Sequence, residues 1–136
     1  MRLPLGLGAA TGCLLLAGAC GGDNGPNAKR FDGDKKDVAA VIDDLQSAAR
    51  DGKPGDICKK LFTAQLRTTI ERETKTSCSA RIKQQVVTDD AKFKATKVRL
   101  DTEDSAIVNV VDGNGNKSVL YLTRDDDNWR IGQIAQ

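Results

Sequence analysis

The hydrophobic period of this sequence changes once, from near 3.6 residues to 2, at about Lys92. That switch limits the fold more than any other feature. Before it, Val38, Val41, Ile42, Leu45, Ala48 and Ala49 recur at i, i+3, i+4 and i+7, which predicts an amphipathic helix. Asp34 can open this helix, and Gly52 and Pro54 close it. Asp37, Asp43, Asp44 and Arg50 fall off the apolar stripe and are expected on a solvated face. Asp56 can cap a short segment, "ICKKLF". Thr63 can cap a third, with Leu66 and Ile70 four apart on one face. "ETKTS" breaks the pattern, and Ser77 or Ser79 opens a further helix with Cys78, Ile82 and Val86 in line.

After the switch come four runs of similar length: "KATKVRLD", "SAIVNVVD", "SVLYLTRD" and "NWRIGQIA". The separators "TED", "GNGNK" and "DD" are turn chemistry. Links this short force antiparallel neighbours, because parallel pairing needs a long crossover. Helices first and a four-stranded meander second define an α+β class, with the helices on one face of the sheet.

The N-terminus carries an address. Arg2 is followed by an uncharged run from Leu3 to Ala19, shorter than the roughly 20 apolar residues of a membrane span. A basic start, an apolar middle and small residues at the end make a secretory signal. "LAGAC", ending at Cys20, resembles a bacterial lipobox. The resemblance implies cleavage before Cys20, a diacylglyceryl group on its sulfur and an acyl chain on the new amine. Two or more chains anchor stably where one does not. Cleavage before Cys13 is the weaker alternative, since it leaves an apolar core near the lower limit. The organisation expected is a signal over 1–19, a lipidated Cys20 with a flexible tether over 20–33, and one domain over 34–136. "GGDNGPNAKR" in the tether has no large apolar side chain with which to order itself.

Cysteine counting agrees with this address. Cys13 leaves with the signal, so Cys20, Cys58 and Cys78 remain, an odd number for an exported chain. Lipidation of Cys20 accounts for the odd one. Cys58 and Cys78 are then left to pair in an oxidising compartment. Two cysteines without any histidine cannot build the usual zinc cage, and no metal or cofactor is expected.

Charge excludes one large function class. Without Arg2, the chain has twenty Lys and Arg against nineteen Asp and Glu. Eleven basic and five acidic residues lie between Asp56 and Leu100, but only Phe62 and Phe93 accompany them. Nucleic-acid binding wants clustered cations with stacking partners, so none is expected. Contact with anionic lipid headgroups is the functional variant these cations leave open.

The segment "DICKKLFTAQL", a second cysteine at Cys78 opening a helix, and the tail "VLYLTRDDDNWRI" resemble small actinobacterial-type lipoproteins. Their domain is similar to the nuclear-transport-factor-two-like or cystatin-like superfamily, the cone-shaped fold shared with ketosteroid isomerase and polyketide cyclases. Ala64 stands where many of those relatives carry proline. The resemblance implies a Cys58–Cys78 disulfide and a curved, cone-like sheet wrapped on helices around an apolar pocket. It implies no activity, because this fold hosts enzymes, adaptors and scaffolds alike.

Catalysis has little to work with. The absence of histidine excludes a Ser-His-Asp triad, so acid–base work would fall to a buried carboxylate. Asp101, Glu103, Asp104, Asp112, Asp125, Asp126 and Asp127 all stand at strand ends or turns. "DGNGNK" from Asp112 starts like a calcium loop but puts Lys117 where glycine is needed and Thr123 where glutamate belongs. The expected function is a non-catalytic, membrane-anchored envelope domain at the outer face of the cell membrane, presenting a surface to an envelope protein or ligand. The alternative is a carrier or sensor of a small hydrophobic molecule, with Val119, Tyr121, Trp129 and Ile131 sharing one alternation and lining the pocket. An acid–base enzyme of the ketosteroid-isomerase-like type ranks below both.

Overall fold

The computed structural model describes residues 25–136. The signal segment and Cys20 lie outside these residues. Helix α1 runs Asp34–Arg50, α2 Pro54–Asp56, α3 Ala64–Thr74 and α4 Cys78–Gln85. A π-helical turn, Ile57–Leu61, continues α2. Four strands follow: β1 Phe93–Thr102, β2 Ser105–Asp112, β3 Lys117–Asp125 and β4 Asn128–Ala135.

Local chemistry explains most boundaries. The Thr63 hydroxyl accepts from Leu66 N at the start of α3, and the Ser77 hydroxyl accepts from Ala80 N at the start of α4. Each satisfies an orphan N–H of a first turn. Ser77, rather than Ser79, is therefore the cap. Gly33 and Gly52 bracket α1 with φ of 59° and 67°, the left-handed region that glycine enters at no steric cost. Asp126 and Asp127 also have positive φ, 47° and 65°. Two such residues between paired Asp125 and Asn128 make the tight primed turn whose twist matches its strands.

The strands pair antiparallel in the order β1-β2-β3-β4. One face of the sheet carries Ala95, Val98, Ala106, Val108, Val110, Leu120, Leu122, Trp129 and Ile131, all buried against the helices. Phe62, Ile42, Ile57, Leu122, Ile131, Val38 and Val108 are the largest fully enclosed side chains. They fill the layer between α1, the π turn and the sheet.

Two expectations are corrected here. The sheet is a plain meander and not a cone. β1 and β4 remain separate edges, and four strands are too few to close on themselves. Each edge is occupied by something other than the opposite strand. Along β1, the Phe93 N–H donates to Gln46 Oε1 at 2.9 Å, the Phe93 carbonyl accepts from Asn27 Nδ2 at 2.8 Å, and the Ala95 N–H donates to Asn27 Oδ1 at 2.8 Å. Along β4, Ile131 bridges to Phe62 in parallel, and its carbonyl accepts from Thr63 N at 2.9 Å.

The second correction concerns the segment read as tether. Asn27 and Ala28 are buried, 3% and 0% exposed, and Ala28–Arg30 forms a 3-10 turn. Asp43 is buried as well, at 5% exposure, although it lies off the apolar stripe of α1. Its carboxylate accepts from Asn27 N, Asn27 Nδ2 and Ala28 N, each at 2.9 Å. Burying a carboxylate is costly unless it is paired or hydrogen-bonded, and three N–H donors meet that condition. Packed chain therefore begins before Asp34.

Candidate functional site

Helix α1 separates two open clefts. Residues at 3.6 per turn put Asp37, Ala40, Val41, Asp44, Ser47, Ala48 and Asp51 on one flank. They face Lys53, Asp56, Lys60 and Leu61 on one side and Asp127, Asn128, Trp129 and Arg130 of the β3–β4 hairpin on the other. This cleft encloses about 650 Å³, and carboxylates predominate on its walls. The other flank presents Gln46 and Arg50. With Arg30, Lys92, Phe93, Lys94 and Val111 they line a cleft of about 510 Å³, where Asp112 is the lining acid.

The acidic cleft is built rigidly at its hairpin end. Trp129 lies beneath the Arg124 guanidinium, 4.7 Å from the ring centroid. The same guanidinium is 3.3 Å from Asp34 at the start of α1. Arg130 donates through Nη1 to the Lys59 carbonyl at 2.9 Å, while its buried Nε has no partner. Lys60 and Asp56 approach to 3.8 Å on an exposed surface, a pair that contributes little.

The four residues predicted to line a pocket do not share a face. Cross-strand register pairs Leu122 with Ile131 and Arg124 with Trp129, but Tyr121 with Gln133 and Val119 with Ala135. Trp129 and Ile131 therefore point toward the helices and are 6% and 0% exposed. Val119 and Tyr121 occupy the opposite, open face, where Tyr121 is 39% exposed. The two-residue turn that pairs Asp125 with Asn128 sets this register, so Trp129 and Ile131 share a face with Arg124 and Leu122 and not with Tyr121. No shared apolar pocket results.

Cys58 and Cys78 form the expected disulfide. The Cα atoms are 6.1 Å apart, and the bond joins residues 20 apart in sequence, within the usual bridging range. Both cysteines are buried. The bond ties the π turn to the first turn of α4, and through Phe62 and Thr63 it holds the segment that runs beside β4.

The acids behave as turn chemistry. The Asp112 carboxylate accepts from Asn114 N at 2.8 Å, Asn116 N at 2.9 Å and Asn116 Nδ2 at 3.2 Å. The Asn116 backbone bond, foremost, lowers its pKa from 3.8. The Thr88 hydroxyl does the same for Asp90. Among the described residues, no group of three or more His, Cys, Asp or Glu is placed to hold a metal ion. Among the described residues, Asn27 and Asp43 are the buried polar side chains. Sequence reasoning missed this pair, and the available signal was the Asp43-Asp44 pair set between Ile42 and Leu45 of the apolar stripe.

Comparison with protein-family descriptions, with curated proteins and with solved structures yields no match.

Proposed function

We propose that this chain is a non-catalytic, lipid-anchored domain of the cell envelope that presents the acidic cleft beside α1 to another envelope protein. One observation carries the reading. Cys58 and Cys78 are bonded to each other, which leaves Cys20, at the end of "LAGAC", as the odd cysteine of a chain cut before it. A buried structural disulfide belongs to an oxidising compartment, in keeping with export. The buried carboxylate of Asp43 supports the non-catalytic part. Its oxygens are held by three N–H donors within the fold, and it faces neither cleft. A cleft walled by Asp37, Asp51, Asp56 and Asp127 suits a cationic stretch of a partner. Enclosure of Phe62, Ile42, Leu122 and Ile131 between the helices and the sheet favours this reading over the carrier alternative.

The test is processing of the full chain in a bacterial host. The mature protein is expected to begin at Cys20, to partition into detergent and to have an intact mass that includes diacylglyceryl and acyl groups. Cys20→Ala is expected to be unprocessed or soluble. A mature wild-type chain with unmodified Cys20 in the soluble fraction would overturn the proposal.

A further inference from the structure

We infer that the face carrying Arg30, Arg50, Lys92 and Lys94 rests on anionic headgroups of the bilayer that holds the anchor. This inference depends on the lipid anchor proposed above. Its first support is where the chain leaves the domain. Gly25 is fixed: its carbonyl accepts from Lys29 N at 3.1 Å, and a Cβ placed on it would collide with the Asp43 carboxylate. Two residues later, Asn27 is bonded to Phe93 O and Ala95 N, the backbone on either side of Lys94. Only five residue steps separate Cys20 from Gly25. Five steps of chain reach at most about 18 Å. A lipid on Cys20 thus holds this corner of the domain close to the headgroups, where the surface potential is felt over a screening length of about 8–10 Å.

The second support is charge. Arg30, Arg50, Lys92 and Lys94 are all exposed and line the same cleft. Asp112 in that cleft has its carboxylate turned into its own loop. Asp90 lies near Arg50 and Lys92 and offsets part of the positive charge. The row then continues along β1. The register shift between Ala95 and Lys97 pairs Lys94 with Val111, Lys97 with Asn109 and Arg99 with Ile107. These pairs put all three cations on the open face of the sheet. Without the shift, Lys97 would share the buried side of Ala95. Guanidinium forks and ammonium point charges are the usual partners of phosphate oxygens. The acidic cleft lies on the other flank of α1, so repulsion from an anionic bilayer favours the same orientation and leaves that cleft facing outward.

The experiment uses the lipidated mature chain on phosphatidylcholine vesicles and on vesicles that also contain phosphatidylglycerol. Lysine acetylation is followed by mass spectrometry after flotation. Lys92, Lys94 and Lys97 are expected to react about five-fold more slowly on the anionic vesicles and to recover in high salt. Lys59 and Lys60, on the π turn, serve as controls and are expected to react equally on both. Lys94→Gln/Lys97→Gln is expected to weaken the protection of Lys92. A chain that floats with both vesicle types yet shows equal rates at Lys92, Lys94 and Lys97 overturns the headgroup contact and leaves the anchor standing. A chain that floats with neither removes the anchor and this inference with it. Unchanged protection of Lys92 in the double variant also defeats the assignment.

Discussion

Along β1 the free edge of the sheet is met by side chains, whereas along β4 it is met by backbone. Asn27, Gln46 and Arg30 take the β1 groups, with the Arg30 guanidinium donating to the Ala95 carbonyl at 2.7 Å. Phe62 and Thr63 take β4, in a segment held by the Cys58–Cys78 bond. An open edge invites pairing with another chain, and each device occupies part of its edge. They differ in what they rest on. The β1 side relies on a buried carboxylate that orders an arm of small and polar residues. The β4 side relies on a covalent link and a fully packed phenylalanine. One arrangement depends on solvent and hydrogen bonds, the other on redox state.

Four variants and one combination of them test that contrast. The largest effect is expected from Asp43→Ala, which leaves Asn27 N, Asn27 Nδ2 and Ala28 N without their acceptor. A loss of about 3–5 kcal/mol in urea unfolding is expected. A loss under about 1 kcal/mol would show that the arm is not integral to the fold. Next, Cys58→Ser/Cys78→Ser opens a loop of 20 residues and is expected to cost about 3 kcal/mol. Because the two sites share no partner, the combined variant should be additive to within about 0.5 kcal/mol; a larger deviation would mean that the two edges communicate.

Smaller effects sharpen the contrast at the hairpins. Arg124→Ala removes the cation above Trp129 and the contact with Asp34, and about 0.5–1 kcal/mol is expected in the same assay. The least is expected of Asp112→Asn on the β1 side. The folded-state pKa of Asp112 is lowered, first by the Asn116 backbone bond. Its contribution is therefore complete above 3.8 and is lost as pH falls through the lower folded value. The variant should show a flatter acid limb below that pH, and carboxyl NMR of the wild type should place the Asp112 midpoint under 3.8.

The β4 side was the more legible of the two. The period of two, the turn residues and the cysteine pair each named a local rule, and the strands and the disulfide followed from them. The helix caps at Thr63 and Ser77 were readable for the same reason. Asn27 was not, because the run from Gly21 to Arg30 around it holds no large apolar side chain. Its partners are Asp43 and the β1 backbone, and only tertiary structure brings them together. Asp43 read as solvated because the apolar stripe of α1 marks which residues face the core and is silent on an arm that covers another flank. Likewise, alternation along β3 and β4 cannot predict that Tyr121 and Trp129 lie on opposite faces. That depends on the cross-strand register, which the turn at Asp126 and Asp127 sets by pairing Asp125 with Asn128.

The Asn27 clamp also bears on the order in which the chain assembles. Each strand of the meander pairs with its immediate successor, so those contacts close short loops. Asn27 must instead find backbone groups 66 and 68 residues away, a closure that is slow and entropically late. Contacts made after the barrier affect escape from the native state more than entry to it. Asn27→Ala is accordingly expected to raise the unfolding rate while leaving refolding nearly unchanged. The amide of Ala95 should exchange with solvent through openings that leave β2 and β3 intact.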